Sequence, residues 1–122
     1  MRAVLAVDDD TTYLNQYRNA LHQNYSITTY TNPQNALEYL RNNPIDLLIA
    51  EHFMPGIGSF ELILKAHEIN PRMKVIMSTL APKGDIDNIL EALRGKIIDV
   101  AYIQKPFNNA ELIRVVQSLI GT

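Results

Sequence analysis

The chain has 122 residues, the usual size of one domain, which is enough for one hydrophobic core and too little for two. Its 11 Lys and Arg against 13 Asp and Glu give a formal charge of -2, so it has no basic field for nucleic acid, and no apolar run nears the roughly 20 residues that span a bilayer. The absence of Cys excludes disulfides, thiolate zinc sites and cysteine nucleophiles; with no signal-like start at Met1-Arg2-Ala3, the expected compartment is the cytoplasm.

Apolar runs of strand length alternate with segments of helical period along the whole chain. Ala3 to Val7 is a continuous apolar run of the kind buried on both faces of a parallel sheet, and it ends in Asp8-Asp9-Asp10. Thr11 or Thr12, or the preceding Asp10, is the predicted cap of a helix that carries Leu14, Tyr17 and Leu21 at helical spacing, up to Gln23-Asn24. Ser26 to Tyr30 reads as a second strand, and Asn32-Pro33 as a cap followed by a first-turn proline for a helix burying Ala36, Leu37 and Leu40.

Beyond Pro44, the strand Asp46 to Ala50 runs into Glu51 and the loop His52-Phe53-Met54-Pro55-Gly56. Phe60, Ile63, Leu64 and His67 mark a third helix, stopped near Asn70-Pro71. Val75 to Ser78 forms a fourth strand ending at Thr79. A loop with Pro82 and Gly84 leads to a helix with Ile86, Ile89, Leu90 and Leu93. Asp99 to Ile103 is the fifth strand, and after Lys105-Pro106 a capping-box pattern, Asn108 with Glu111, opens a helix with Leu112, Val115, Val116 and Leu119.

The pattern predicts an α/β fold, a (βα)5 doubly wound, five-stranded parallel sheet, because right-handed crossovers put helices on both faces. In such a sheet the functional crevice lies beyond the carboxyl ends of the strands. There the sequence places Asp8 and Asp9, Glu51, Thr79 and Lys105, while the strand interiors are apolar. Crowded carboxylates repel, so the hollow calls for a divalent cation, a proton or a cationic neighbour. Mg2+ suits it, being a hard ion held by one or two carboxylates.

These residues carry a family resemblance over essentially the whole chain. Val4-Leu5-Ala6-Val7-Asp8-Asp9 resembles the acidic pair of the response-regulator receiver domains, the CheY-like superfamily. Asp46-Leu47-Leu48-Ile49-Ala50 leads to the phosphoacceptor position, here Glu51. Met54-Pro55, Thr79, Tyr102 and Lys105-Pro106-Phe107 match the remaining motifs in order.

The resemblance implies a flavodoxin-like fold and a single domain over 1-122, either alone or at the front of a longer regulator. It implies a signalling module of a two-component phosphorelay rather than an enzyme, with a histidine kinase and an output domain or protein as partners. Asp8, Asp9, Glu51 and the backbone carbonyl of Phe53 would form a Mg2+ site, Thr79 and Lys105 would contact phosphate, and Thr79 and Tyr102 would act as the switch. Partners, or a second copy in a homodimer, would meet the face of the fourth helix, fifth strand and fifth helix.

Glu51 departs from the family's aspartate. No shift of register supplies one, since Asp46 lies five residues earlier, at the wrong end of the strand. The extra methylene moves the carboxylate by about 1.5 Å, which misplaces an in-line attack, so phosphorylation in the usual way and strong Mg2+ binding are not expected. Glu51 either imitates the activated state or pairs with Lys105 and locks an inactive one. Gly58-Ser59, the bulky Leu80 and the long stretch with Gly95-Lys96-Ile97-Ile98 also depart from the pattern, and Leu80 would crowd phosphate access.

Two alternatives stand beside this reading. One keeps the receiver and phosphorylates Glu51; the other makes Asp8-x-Asp10-x-Thr12 the nucleophile motif of a small haloacid-dehalogenase-like phosphatase. His22, His52 and His67 have no metal-ligand spacing, and only His52 lies near the pocket.

Overall fold

The computed structural model describes residues 1–97 and 99–122, so Ile98 of the Gly95-Lys96-Ile97-Ile98 stretch lies outside the described residues. Strands and helices alternate: β1 Arg2–Val7, α1 Thr11–Leu21, β2 Tyr25–Tyr30, α2 Pro33–Asn42, β3 Leu47–Glu51, α3 Ser59–Ile69, β4 Lys74–Thr79, α4 Lys83–Arg94, β5 Val100–Gln104 and α5 Asn109–Ile120. The five strands are parallel, in the order β2-β1-β3-β4-β5. The expected (βα)5 sheet is present, and the reversal of strand order falls between β1 and β3.

Period-two alternation divides each inner strand between two cores. Leu5 and Val7, Leu48 and Ala50, and Val75 and Met77 join the buried faces of α2, α3 and α4. Val4 and Ala6, Leu47 and Ile49, and Ile76 face α1 and α5 on the other side. Because β1, β3 and β4 are covered on both faces, their interiors are apolar, and the one buried hydroxyl short of the end of β4, on Ser78, is bonded to Tyr17. The polar residues are displaced to the strand ends, which is how the site comes to lie there.

Three local expectations are corrected or narrowed. Asp10, not Thr11 or Thr12, is the N-cap of α1: its side chain accepts the Thr12 N–H, since a carboxylate also complements the positive helix start. In α3 the buried face is Ser59, Leu62, Ile63 and Ala66, whereas Phe60, Leu64 and His67 are only half-buried, because the helix also packs on α2 and is rotated toward it. Asn108 caps α5 by accepting the Glu111 N–H, and the helix buries Leu112, Val116 and Ile120 while Val115 and Leu119 stay half-buried. The Asn32 cap stands as read, accepting from Gln34 and Asn35, with Pro33 in the first turn.

Candidate functional site

Asp8 directly follows β1, Glu51 ends β3, and Lys105 directly follows β5, so the sheet delivers all three to its carboxyl edge. They meet. Lys105 Nζ donates to Asp8 Oδ2 at 2.6 Å and to Glu51 Oε1 at 2.8 Å, with all three side chains buried. The Glu51 carboxylate is also folded back on its own loop, where Oε2 accepts the Phe53 N–H at 3.1 Å, and Asp8 Oδ1 accepts the Asp10 N–H at 2.9 Å.

Thr79 is fully buried, its carbonyl accepts the Lys105 N–H at 2.8 Å, and its hydroxyl faces the Ala81 N–H at 3.4 Å. Tyr102 is half-buried, and its hydroxyl donates to the Ala81 carbonyl, which ties β5 to the loop between β4 and α4. Asp9 is exposed and has no part in the Lys105 pairing. The side chains of Phe53 and Leu80 stand in solvent, at 67% and 63% exposure. His52 hydrogen-bonds through Nδ1 to Ser59 Oγ at 2.8 Å and pins the loop between β3 and α3, whose turn uses Gly56 at a φ of 88°. Asp10 is spent as a helix cap, and Asp46, bound to the Ala3 N–H, sits at the opposite end of β3.

Two aromatic residues next to the site were not assigned to it from the sequence. The Tyr13 ring lies 4.0 Å from Lys105 Nζ, and Tyr17, buried, donates to Ser78 Oγ at 2.8 Å. Both come from α1. Their spacing of four residues just after the acidic run was the available signal, since it sets both on one helical face turned to the crevice.

Burial shapes the titration of the site. It pushes the Asp8 carboxyl up, although the Lys105 ammonium and the Asp10 N–H pull the other way. Burial pulls Lys105 down, but its bonds to Asp8 and Glu51 and their charges outweigh this, and the ammonium is held above its ordinary 10.5. Tyr17 is pushed above its ordinary 10.0, first by burial and then by the nearby carboxylates, against the Ser78 bond.

The last two shifts have one sign: the native state keeps protons that the unfolded chain gives up, so stability is full below about pH 10 and falls as pH rises further. Tyr25 and Tyr102 are raised above 10.0 with the same sign, so urea unfolding should show a downward slope setting in at about pH 10, of which Tyr17 supplies up to about 1.4 kcal/mol per pH unit. Tyr17→Phe should lower the slope by about that amount, and an unchanged slope would contradict the assignment.

The Mg2+ site that the resemblance implies draws on Asp8, Asp9, Glu51 and the Phe53 carbonyl. Only Asp8 and Glu51 converge, and among the described residues no three acidic or imidazole side chains gather into a metal-binding group. Each carboxylate oxygen of the pair already accepts a hydrogen: from Asp10 and Lys105 on Asp8, from Lys105 and Phe53 on Glu51. This set fits one ammonium, and it does not fit a small divalent ion that demands octahedral oxygens and keeps several waters.

Comparison with known proteins adds three findings. Residues 4–117 match the family described as the response regulator receiver domain. Among curated proteins, the chain is 26% identical to the response regulator receiver protein CpdR of Brucella abortus, over 98% of both chains. It is 29% identical to the two-component response regulator EHD1 of rice, Oryza sativa subsp. indica, over 95% of this chain but 33% of that protein, so it spans about a third of the rice regulator. Among solved structures, a CheY-like receiver domain protein from Methanospirillum hungatei JF-1 superposes with a TM-score of 0.84 at 28% identity, covering 97% and 92% of the two chains. The chemotaxis protein CheY4 of Vibrio cholerae shares the fold, with a TM-score of 0.88, 22% identity and 98% and 99% coverage.

Proposed function

The chain belongs to the response regulator receiver domain family, and from that premise we propose that it signals without being phosphorylated in the usual way, acting through the α4-β5-α5 face. Receiver domains are signalling modules rather than enzymes, and they work with histidine kinases and output domains. The observation that carries the proposal is the 2.8 Å ion pair between Glu51 and Lys105. It uses up the ammonium that would steady a phosphoryl group and fixes the nucleophile's oxygens in bonds that attack would have to break.

The docking of Tyr102 on the Ala81 carbonyl favours one of the two fixed states. The Glu51–Lys105 pair is the contact expected of the locked inactive alternative, but with Tyr102 drawn in against the loop of Thr79 we read Glu51 as imitating the activated arrangement. Output is then set by the amount of protein and by its partner, an output domain or protein or a second copy on the same face. A histidine kinase can bind without transferring phosphate. The state so held does not depend on Mg2+, and the module works in the cytoplasm.

Incubation with a small acyl phosphate and Mg2+, followed by intact mass measurement, tests this directly. No phosphoryl adduct is expected on the native chain. An adduct in stoichiometric amount that disappears in Glu51→Gln would refute phosphate-independent signalling.

A further inference from the structure

We propose that Tyr13 is the positioning residue that holds Lys105 in place as the cation of this site, so that the hollow takes an ammonium and rejects a hydrated divalent metal. This rests on the reading that the Glu51–Lys105 pair fixes the module, and it explains what keeps that pair dry.

The ammonium has three donors. Two are used by Asp8 Oδ2 and Glu51 Oε1, and the Tyr13 ring, 4.0 Å from the same nitrogen, covers the approach that remains. The electron-rich face of an aromatic ring attracts a cation, most strongly where water is excluded, and Lys105 is only 3% exposed. A carbon face has nothing to offer metal-bound water, which needs hydrogen-bond acceptors. The same ring thus favours one cation and disfavours the other.

Tyr13 is not free to leave this position. Its ring packs on Phe107 at 5.8 Å, two residues beyond Lys105, and Phe107 in turn stacks on Tyr17 at 5.9 Å and 16°. Gln16 donates to the Phe107 carbonyl at 2.9 Å, and Tyr17 is anchored on Ser78, next to Thr79. Residues 13, 16 and 17 of α1 therefore clamp the Lys105-Pro106-Phe107 segment, and the ring and the ammonium are held by the same contacts.

The test is NMR on protein carrying 15N- and 13C-labelled lysine, with no phosphodonor present. In the native chain the Lys105 ammonium should give a signal protected from exchange, and its ε-methylene protons should be moved upfield by the Tyr13 ring current. Tyr13→Phe keeps the ring and should preserve both signatures. Tyr13→Leu should lose both, and Mg2+ titration followed on backbone amides should show affinity raised about five- to thirtyfold, the factor that matches a desolvated cation–ring contact.

Absence of the upfield shift in the native chain overturns the proposal whether or not Tyr13→Leu folds. Unchanged Lys105 signals in a folded Tyr13→Leu variant, or a Tyr13→Phe variant that behaves like the leucine one, also overturn it. A phosphoryl adduct on native protein would instead refute phosphate-independent signalling, and it leaves these spectra as an independent result.

Discussion

Lys105→Met is expected to cost about 3–5 kcal/mol of stability at neutral pH, because it leaves Asp8 and Glu51 buried with no cation between them. Methionine fills nearly the same volume, so a lost cavity contact does not account for such a figure. The loss should shrink in acid. Lys105 is the main group restraining the Asp8 carboxyl, which burial already pushes up, so in the variant Asp8 takes up a proton more readily still. A carboxyl raised in the native state stabilises below its ordinary 3.8 and loses that contribution as pH rises through the native value. Urea unfolding at roughly pH 5 and pH 8 should therefore show a clearly smaller penalty at the lower pH. Equal penalties would mean that the lysine matters through packing rather than charge.

Glu51→Asp should gain phosphorylation by about a hundredfold or more over the native chain, the scale on which a misplacement of roughly 1 Å is felt in rate. The shorter side chain withdraws the carboxylate by about 1.5 Å. That stretches the bond to Lys105 beyond hydrogen-bonding reach and frees the ammonium for an incoming phosphoryl group. A time course of intact mass with acyl phosphate and Mg2+ measures it. Should no adduct form, the block lies with the other neighbours of the site, and Tyr13 over the ammonium is the first to exchange in the aspartate background.

Both experiments address the same balance. Two carboxylates and one ammonium leave the hollow one negative charge in excess, which a receiver using aspartate and a metal would meet differently. Here the counter-charge is carried by the chain itself, and a covalently attached cation neither dissociates nor responds to the supply of metal. The expectation is a module whose state is constant rather than switched.

Much of this was legible before any fold was known. Strand and helix alternation is written in local periodicity, and the inner strands had to be apolar because both of their faces are covered. That alone put Asp8, Glu51, Thr79 and Lys105 at one edge, since each lies just past the end of an apolar run. The faces of single helices were less legible: α3 carries apolar residues on more than one side, and only its packing against α2 and the sheet selects Leu62, Ile63 and Ala66 over Phe60 and Leu64.

The order of elements, the doubly wound sheet and the placing of charged groups at its carboxyl end follow from local pattern, because periods of two and 3.6 residues and the rules of chain crossover act over short stretches of chain. How those groups pair is set by packing between distant parts of the chain. Lys105 meets Asp8 across 97 positions and Glu51 across 54, and Tyr13 reaches Lys105 from α1. Which partner a buried ammonium takes depends on ångström differences between strand ends and helix packing, and no local pattern encodes those.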